Sequence, residues 1–479
     1  MQKFESAAAA RTNPAIFTED LARESRGASE TNPPATLTPV PEFEYPHPAG
    51  AWWAVVVLQF AAALSYLDRT ILSMLVTPIK ADLHISDTEM SFLIGGGFAL
   101  VYIFVALPMG QVADRLSRKR ALLTCVSVWT LATAAGGLAT SYATLFITRM
   151  FLGAGESGLN PCGYSMTSDL FPRKKLGLAS AIVEVGRPVG AGIALMGGAA
   201  WMRMLENHTV ALEFVPVLTG WRLVLVSMVL PSIVVIAMLL AIQEPSRTGI
   251  GAKVVAQTPS YRELLVFLKQ TPSLVGFIVA MGLFYIATQS NLSWLPTMFE
   301  RNYGIPPKQI GTMLGLISAG AGALGLFTGG TISDALFKRG LRDVHVRLPT
   351  MCALLLTPVL IVVPLMPTSD SALTALTLQL LLSYAPMAAA IALIQMAVPN
   401  RLRGKVVALT LVVQGTSALF VGPTLTAAIN DFFYDGLSLA HAISWTGGLF
   451  APLAAILLLI SRPGLRCHIV TVLASEQAQ

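Results

Sequence analysis

The chain has 479 residues, 54% of them hydrophobic and 12% charged, with a mean hydropathy of +0.66. Soluble proteins carry about a quarter charged residues, so this composition leaves too little polar surface for a water-facing body and excludes a soluble globular class. The formal charge of +6 lies mostly in short loops between apolar runs, and no nucleic-acid partner is expected from it.

Residues 1–49 are rich in Ala, Thr, Pro and Glu, with neither a sustained apolar run nor the basic start and apolar core of a cleavable signal. They predict a disordered cytosolic tail. Twelve segments then approach the roughly 20 apolar residues that a spanning helix needs: 51–77, 90–112, 121–140, 143–165, 176–199, 220–242, 272–297, 309–333, 347–367, 371–397, 404–429 and 437–461. The expected class is an all-α polytopic membrane protein, with a six-helix bundle over 50–243, a polar cytosolic linker over 244–271, a second bundle over 272–461 and a cytosolic tail over 462–479. With Arg347 and Lys405, at the edges of spans 9 and 11, counted with the loops they adjoin, 24 of the 32 Lys and Arg fall in the inner loops and tails, four (Lys80, Arg203, Arg301, Lys308) in outer loops and four inside spans. This bias predicts cytosolic termini in a multi-pass protein of the cell (inner) membrane.

Apart from Arg347 and Lys405 at the edges of spans 9 and 11, the charges of the spans lie in the first half: Asp68 and Arg69 in span 1, Arg149 and Glu156 in span 4, Glu184 and Arg187 in span 5, and Arg222 at the start of span 6. An ionised group at bilayer depth costs at least about 2.5–3.5 kcal/mol, so such groups usually face a cavity or a partner. Arg149 and Glu156, seven residues apart, fall on nearly one face of a helix. Glu184 and Arg187, three apart, can pair with each other, or Arg187 can meet an anionic substrate group.

The loops repeat. Gly110-Gln-Val-Ala-Asp114-Arg115-Leu-Ser-Arg118 follows span 2, and Gly330-Thr-Ile-Ser-Asp334 follows span 8, with both Gly and Asp displaced by 220 residues. Two homologous halves about an axis normal to the membrane are the natural architecture. Gly110, Asp114, Arg115, Arg118, Gly330 and Asp334 are candidates for a cytosolic gate. The spans do not keep the repeat, because the positions 220 residues beyond Asp68, Arg149 and Glu156 are Thr288, Ser369 and Leu376.

The paired Gly-xxx-Asp loops, with Arg149-xxx-Gly153-x-Gly155 in span 4, resemble the major facilitator superfamily over residues 50–461. Tyr66-Leu-Asp68-Arg69, Gly155-Glu156 and Ser168-Asp169-Leu-Phe-Pro172 resemble its Spinster-like branch of lysolipid and sphingolipid transporters. Gly155-Glu156-Ser157 stands where that branch usually has Gly-Glu-Ala, and Arg187 has no place in its pattern. The resemblance implies proton coupling through Asp68, Arg149 and Glu156. Desolvation favours a protonated carboxyl and a neighbouring Arg an ionised one, so a change of environment can load and release a proton.

The remaining candidates for substrate contact are Arg69, Glu184 and Arg187, with the uncharged Tyr285, Gln289, Asn291, Trp294, Gln379, Tyr384 and Gln414 of the second half. Together they would give a charged wall for a ligand's head and an aromatic, apolar wall for its tail, or simply hydrogen-bond helices together. The expected activity is proton-coupled alternating access for an amphipathic organic anion, such as a lysophospholipid or sphingoid-like lipid. A small organic anion or drug is the alternative, and an uncoupled lipid scramblase or a membrane-embedded lipid enzyme the reading from another class. No Walker sequence, nucleophile elbow or His-rich metal site occurs, and Cys125, Cys162, Cys352 and Cys467 lack metal-ligand spacing. No cofactor is expected beyond protons as coupling ion. The expected partners are a small-molecule or lipid substrate and membrane lipids, around a monomer.

Overall fold

Proline punctuates the helices. Pro78, Pro161 and Pro231 each cannot accept a continuous helix through the carbonyl four residues earlier, and in each case that residue, or its immediate predecessor, ends a helix. The computed structural model describes residues 48–171, 173–212, 215–218, 220–245 and 261–477. Most of the expected N-terminal tail and much of the linker lie outside these, as do the side chains of Gly110, Asp114, Arg115, Glu184 and Arg187.

In chain order the helices are α1 (Pro48–Met74), α2 (Val76–Leu83), α3 (Asp87–Ser91), α4 (Gly97–Arg115), α5 (Arg118–Gly137), α6 (Tyr142–Glu156), α7 (Leu159–Leu170), α8 (Arg173–Leu205), α9 (Gly220–Ser227) and α10 (Val229–Ala241). The second half follows with α11 (Tyr261–Gln270), α12 (Pro272–Tyr303), α13 (Pro307–Lys338), α14 (Val344–Val362), α15 (Ser369–Tyr384), α16 (Pro386–Ala397), α17 (Asn400–Thr416), α18 (Gly422–Tyr434) and α19 (Leu439–Gln477). π-turns at Phe92–Gly96 and Ser417–Val421 join α3 to α4 and α17 to α18.

The twelve expected spans map onto these in order: α1, α3–α4, α5, α6–α7, α8, α9–α10, α12, α13, α14, α15–α16, α17–α18 and α19. Among the described residues nine helical segments are long and apolar enough to cross a membrane. The other three spans, α5, α6–α7 and α8, lie together in the first half and include the helix that carries Arg149 and Glu156. Between α8 and α9 lies a short antiparallel pair, β1 (Val210–Leu212) and β2 (Val215–Leu218), the one strand pairing among the described residues. The linker contains α11, and α19 continues beyond residue 461, where the sequence reading ends the last span.

Large apolar side chains cover the outside of the bundle: Phe104, Leu131, Leu240, Phe327 and Ile460 are all exposed. In a chain of this composition that surface is the one lipid would touch.

The interior divides into three cores. One joins both halves, packing Ile71, Leu75 and Ile79 with Trp294, Met298, Phe299 and Ile310. The second is built of first-half residues around Trp129 and Leu152, and the third of second-half residues around Phe277 and Leu458. The shared core lies at the far end, away from the basic loops; the separate cores lie toward the basic end.

Close backbone approaches link the halves. A Cβ on Gly95 would stand 1.5 Å from the Leu419 carbonyl oxygen, and one on Gly192 would stand 2.5 Å from that of Gly315. At these crossings only glycine leaves room.

Candidate functional site

On α1, Leu58, Gln59, Ala62, Ser65, Tyr66 and Arg69 recur at helical spacing and line one cavity. Opposite them stand α4 (Ala99, Tyr102, Ile103), α7 (Asn160, Tyr164), α12 (Tyr285, Gln289) and α17 (Leu411, Gln414). The cavity measures about 480 Å³ and draws its walls from both halves. It occupies the side of Arg69 that faces the basic end, and the shared core begins at Ile71 on the other side.

Arg69 and Glu156 meet at its deep end. Arg69 Nε donates to Glu156 Oε2 at 2.6 Å, and the Nη2 of the same guanidinium pairs with that oxygen. Ser65 Oγ donates to Glu156 Oε2 at 2.6 Å and accepts from Arg69 Nη2 at 3.1 Å. The Glu156 side chain is fully buried and that of Arg69 is 21% exposed, so the cation faces the cavity and the carboxylate backs it. Aromatic rings surround the guanidinium: its Cζ lies 4.5 Å from the centre of Phe98, 5.7 Å from Tyr66 and 5.8 Å from Tyr102. Asn160 Nδ2 donates to Tyr102 Oη at 3.1 Å and holds that ring in place.

Local sequence explains the position of Glu156. Pro161 forces α6 to stop before α7 begins, which leaves Glu156 as the last residue of α6 beside the break at Ser157–Gly158. Gly155 permits the close approach of α5: a Cβ there would meet the Trp129 backbone nitrogen at 2.7 Å.

Asp68 and Arg149 stand behind this pair. Both are buried and neither lines the cavity. Arg149 Nη2 reaches the Asp68 backbone oxygen at 3.5 Å, at the limit of a hydrogen bond, and their side chains form no ion pair. Neither carboxylate oxygen of Asp68, nor Arg149 Nε, nor Glu156 Oε1 hydrogen-bonds to a described residue. Buried charged groups left this way are costly in a static structure. The expected trio is thus regrouped: Glu156 takes Arg69 as its charge partner and not Arg149.

Of the uncharged second-half candidates, Tyr285, Gln289 and Gln414 line the cavity. Asn291 and Gln379 do not; Asn291 Nδ2 donates to Gln379 Oε1 at 3.3 Å, a buried bond between α12 and α15. Trp294 is fully buried and donates to the Pro423 carbonyl at 3.0 Å. Tyr384 belongs to the shared core. Glu184, Arg187, Gly110, Asp114 and Arg115 are expectations on side chains outside the described residues.

Arg118 and Asp334 are described. Arg118 is buried and bonds to its own half and to the start of the linker, pairing with Asp169 and Glu244 and donating to the Pro245 carbonyl at 2.7 Å. Burial pushes the Glu244 carboxyl up, but bonds from Ser117 and Arg118 outweigh it and hold Glu244 below its ordinary value. Asp334 is exposed, and a Cβ placed on Gly330 would meet only the Ala388 side chain, at an ordinary 3.7 Å. At this end of the second half the buried carboxylate is Asp343, bonded by Arg347 and by Arg462, each at 2.7 Å. Burial again raises it, and these two bonds bring it below the usual range.

The sequence reading missed Ser65, Phe98, Tyr102 and Asn160. For Ser65 the signal was present, four residues before Arg69 on the same helical face.

Comparison with known proteins agrees with this architecture. A bacterial homologue of the human lysosomal transporter Spinster, solved inward-facing and unoccupied, superposes with a TM-score of 0.73 at 21% identity, over 89% of this chain and 98% of that one. The chain is 27% identical over 294 residues to an MFS-type efflux pump of Mycolicibacterium smegmatis, covering 61% of this chain and 64% of the pump. It is 27% identical over 420 residues to a hexuronate transporter of Bacillus subtilis, covering 84% and 93%. The match to the efflux pump thus spans less than two thirds of that relative's length. The profile of the Major Facilitator Superfamily matches residues 58–423, and with its two six-helix halves around one central cavity the chain belongs to that superfamily.

Proposed function

We propose that the protein is a secondary transporter, not an enzyme, that moves an amphipathic organic anion by proton-coupled alternating access. The observation that carries this reading is the bond between Glu156 and Arg69 at the deep end of the cavity. Among the described residues Arg69 is the cation that lines the cavity, and an ionised Glu156 neutralises it. Protonation of Glu156 removes that competing charge and leaves the guanidinium, already partly exposed, to bind an anionic group by charge-assisted hydrogen bonds. Proton and anion then enter together, and the loaded site carries no more net charge than the empty one. A site balanced in both forms can be occluded without a large desolvation cost.

Asp68 and Arg149 stand behind this pair, in the coupling roles that the resemblance to the Spinster-like branch implies for them. The apolar lining of Leu58, Ile103, Leu411 and Leu419 suits an alkyl chain, which favours a lysophospholipid or sphingoid-like anion. The amides of Gln59, Asn160, Gln289 and Gln414 in the same lining favour a second reading, a sugar acid, for which the hexuronate transporter of B. subtilis is the relevant relative. With the basic loops in the cytosol, the cavity opens inward.

The test is uptake into proteoliposomes of a labelled lysophospholipid and of glucuronate, each with and without an imposed pH gradient. Gradient-dependent accumulation of either one supports coupling and identifies the class. Equal lipid flux with and without the gradient would mean a scramblase and would overturn the proposal.

A further inference from the structure

The four basic residues of the outer loops are exceptions to the bias that clears cations from that side. The structure gives all four one occupation. Asp87, the first residue of α3, is fully buried. Its carboxylate takes both arms of Arg301, Nη1 to Oδ2 at 2.6 Å and Nη2 to Oδ1 at 2.8 Å, together with the ammonium of Lys80. Asn430 Nδ2 adds a bond to Oδ2 at 2.7 Å. Arg301 ends α12 and Asn430 lies on α18, so one first-half carboxylate ties down two helices of the second half.

Neighbouring bonds run the same way. The Thr88 amide donates to Asp431 Oδ2 at 2.7 Å, and Thr77 Oγ1 to Glu300 Oε2 at 2.5 Å. Across the same end, Arg203 at the close of α8 donates to the Lys308 carbonyl, and Lys308 pairs with Glu206. The buried groups at the basic end behave differently: Arg118 pairs with Asp169 of the first half and Glu244 at the start of the linker, and Asp343 with Arg347 and Arg462 beyond the linker, so neither bridges the two bundles.

We propose that Lys80, Arg203, Arg301 and Lys308 persist in the outer loops because they form a clamp that closes the far end, with Asp87 as its hub. Asp87 and Arg301 are positioning residues that touch no substrate and set the balance between the two access states. The clamp is uneven. A bidentate Arg–carboxylate pair with a sealed carboxylate is strong and specific, and removing one partner leaves a buried charge unpaired. The Lys308–Glu206 pair, 30% and 47% exposed, contributes little. The side chains of Arg301 and Lys80 are 26% and 23% exposed, so water can reach the hub from the far side when it opens.

The inference rests on the alternating-access reading, and its test needs no transport. In full-length protein carrying Cys467→Ser, the described cysteines that remain are buried, and spin labels go on Ala81→Cys of the first half and Leu437→Cys of the second, both exposed. Asp87→Asn and Arg301→Gln should each raise the ratio of long to short label distances about tenfold or more, and the double variant little further than Asp87→Asn, in which the ion pair with Arg301 is already lost. Glu206→Gln should leave the distribution as in wild type. Two variants guard against misfolding of either. If the variants that purify as folded protein keep the wild-type distances, the clamp is overturned, and if Glu206→Gln opens the far end as far as Arg301→Gln does, Asp87 is not its hub, whatever the uptake assays show.

Discussion

On the first-half wall of the cavity Arg69, Glu156 and Ser65 converge within hydrogen-bond distance, with Asp68 and Arg149 behind them. On the second-half wall Tyr285, Gln289 and Gln414 face the same space without a charge among them. The positions that repeat the first-half charges have other tasks. Thr288, which corresponds to Asp68, bonds its own helix through the Phe284 carbonyl at 3.0 Å, and Leu376, which corresponds to Glu156, packs in the shared core. The comparison teaches that the repeated unit supplies packing and crossing geometry, whereas the charges answer to a task performed once. A second set of buried charges would add desolvation cost.

The largest expected effect comes from emptying the charged wall. Arg69→Ala should reduce binding of an anionic substrate about 100-fold, because it removes a charge-assisted contact and strands Glu156. Equal affinity in equilibrium binding would break the contrast between the walls. Asn291→Leu should act next, on stability: Gln379 loses its partner, a cost of about 1–3 kcal/mol, read as a lower melting temperature in detergent with substrate affinity retained. Gln414→Ala, on the uncharged wall, should change affinity about threefold to tenfold and leave the response to a pH gradient intact. A lost gradient response there would place coupling on both walls.

The smallest effect concerns Asp343 outside the membrane. Its folded carboxyl titrates below the ordinary value, so the stability it adds is complete above the unfolded Asp value of about 3.9 and is lost as pH falls through the lower folded one. Asp343→Asn should therefore flatten the acid limb of a stability–pH curve and lower the plateau at neutral pH.

Much of this was legible in the sequence because it rests on periodicity and composition. The span count, the paired loops and the one-sided charges follow from apolar runs and from the offset of Gly110 and Gly330. Partner choice was not legible. That Glu156 pairs with Arg69 and not Arg149 depends on the break Pro161 makes after α6, and a helix-face argument across 149–156 cannot see a partner on α1. The second-half polar residues were misgrouped for a related reason. Asn291, Trp294 and Gln289 share a helix, but only the last faces the cavity, while the others bond α15 and the Pro423 carbonyl. Asp87 was overlooked because it stands at the mouth of a span, where an acidic residue reads as an ordinary helix start.

The most direct measurement of the central claim is substrate affinity as a function of pH in wild type and in Glu156→Gln. The competition between Glu156 and the substrate anion for Arg69 predicts that wild-type binding tightens as pH falls. In Glu156→Gln it should stay tight across the range, with accumulation driven by a pH gradient lost. A Glu156→Gln protein with the wild-type pH slope and undiminished gradient-driven accumulation would contradict the account.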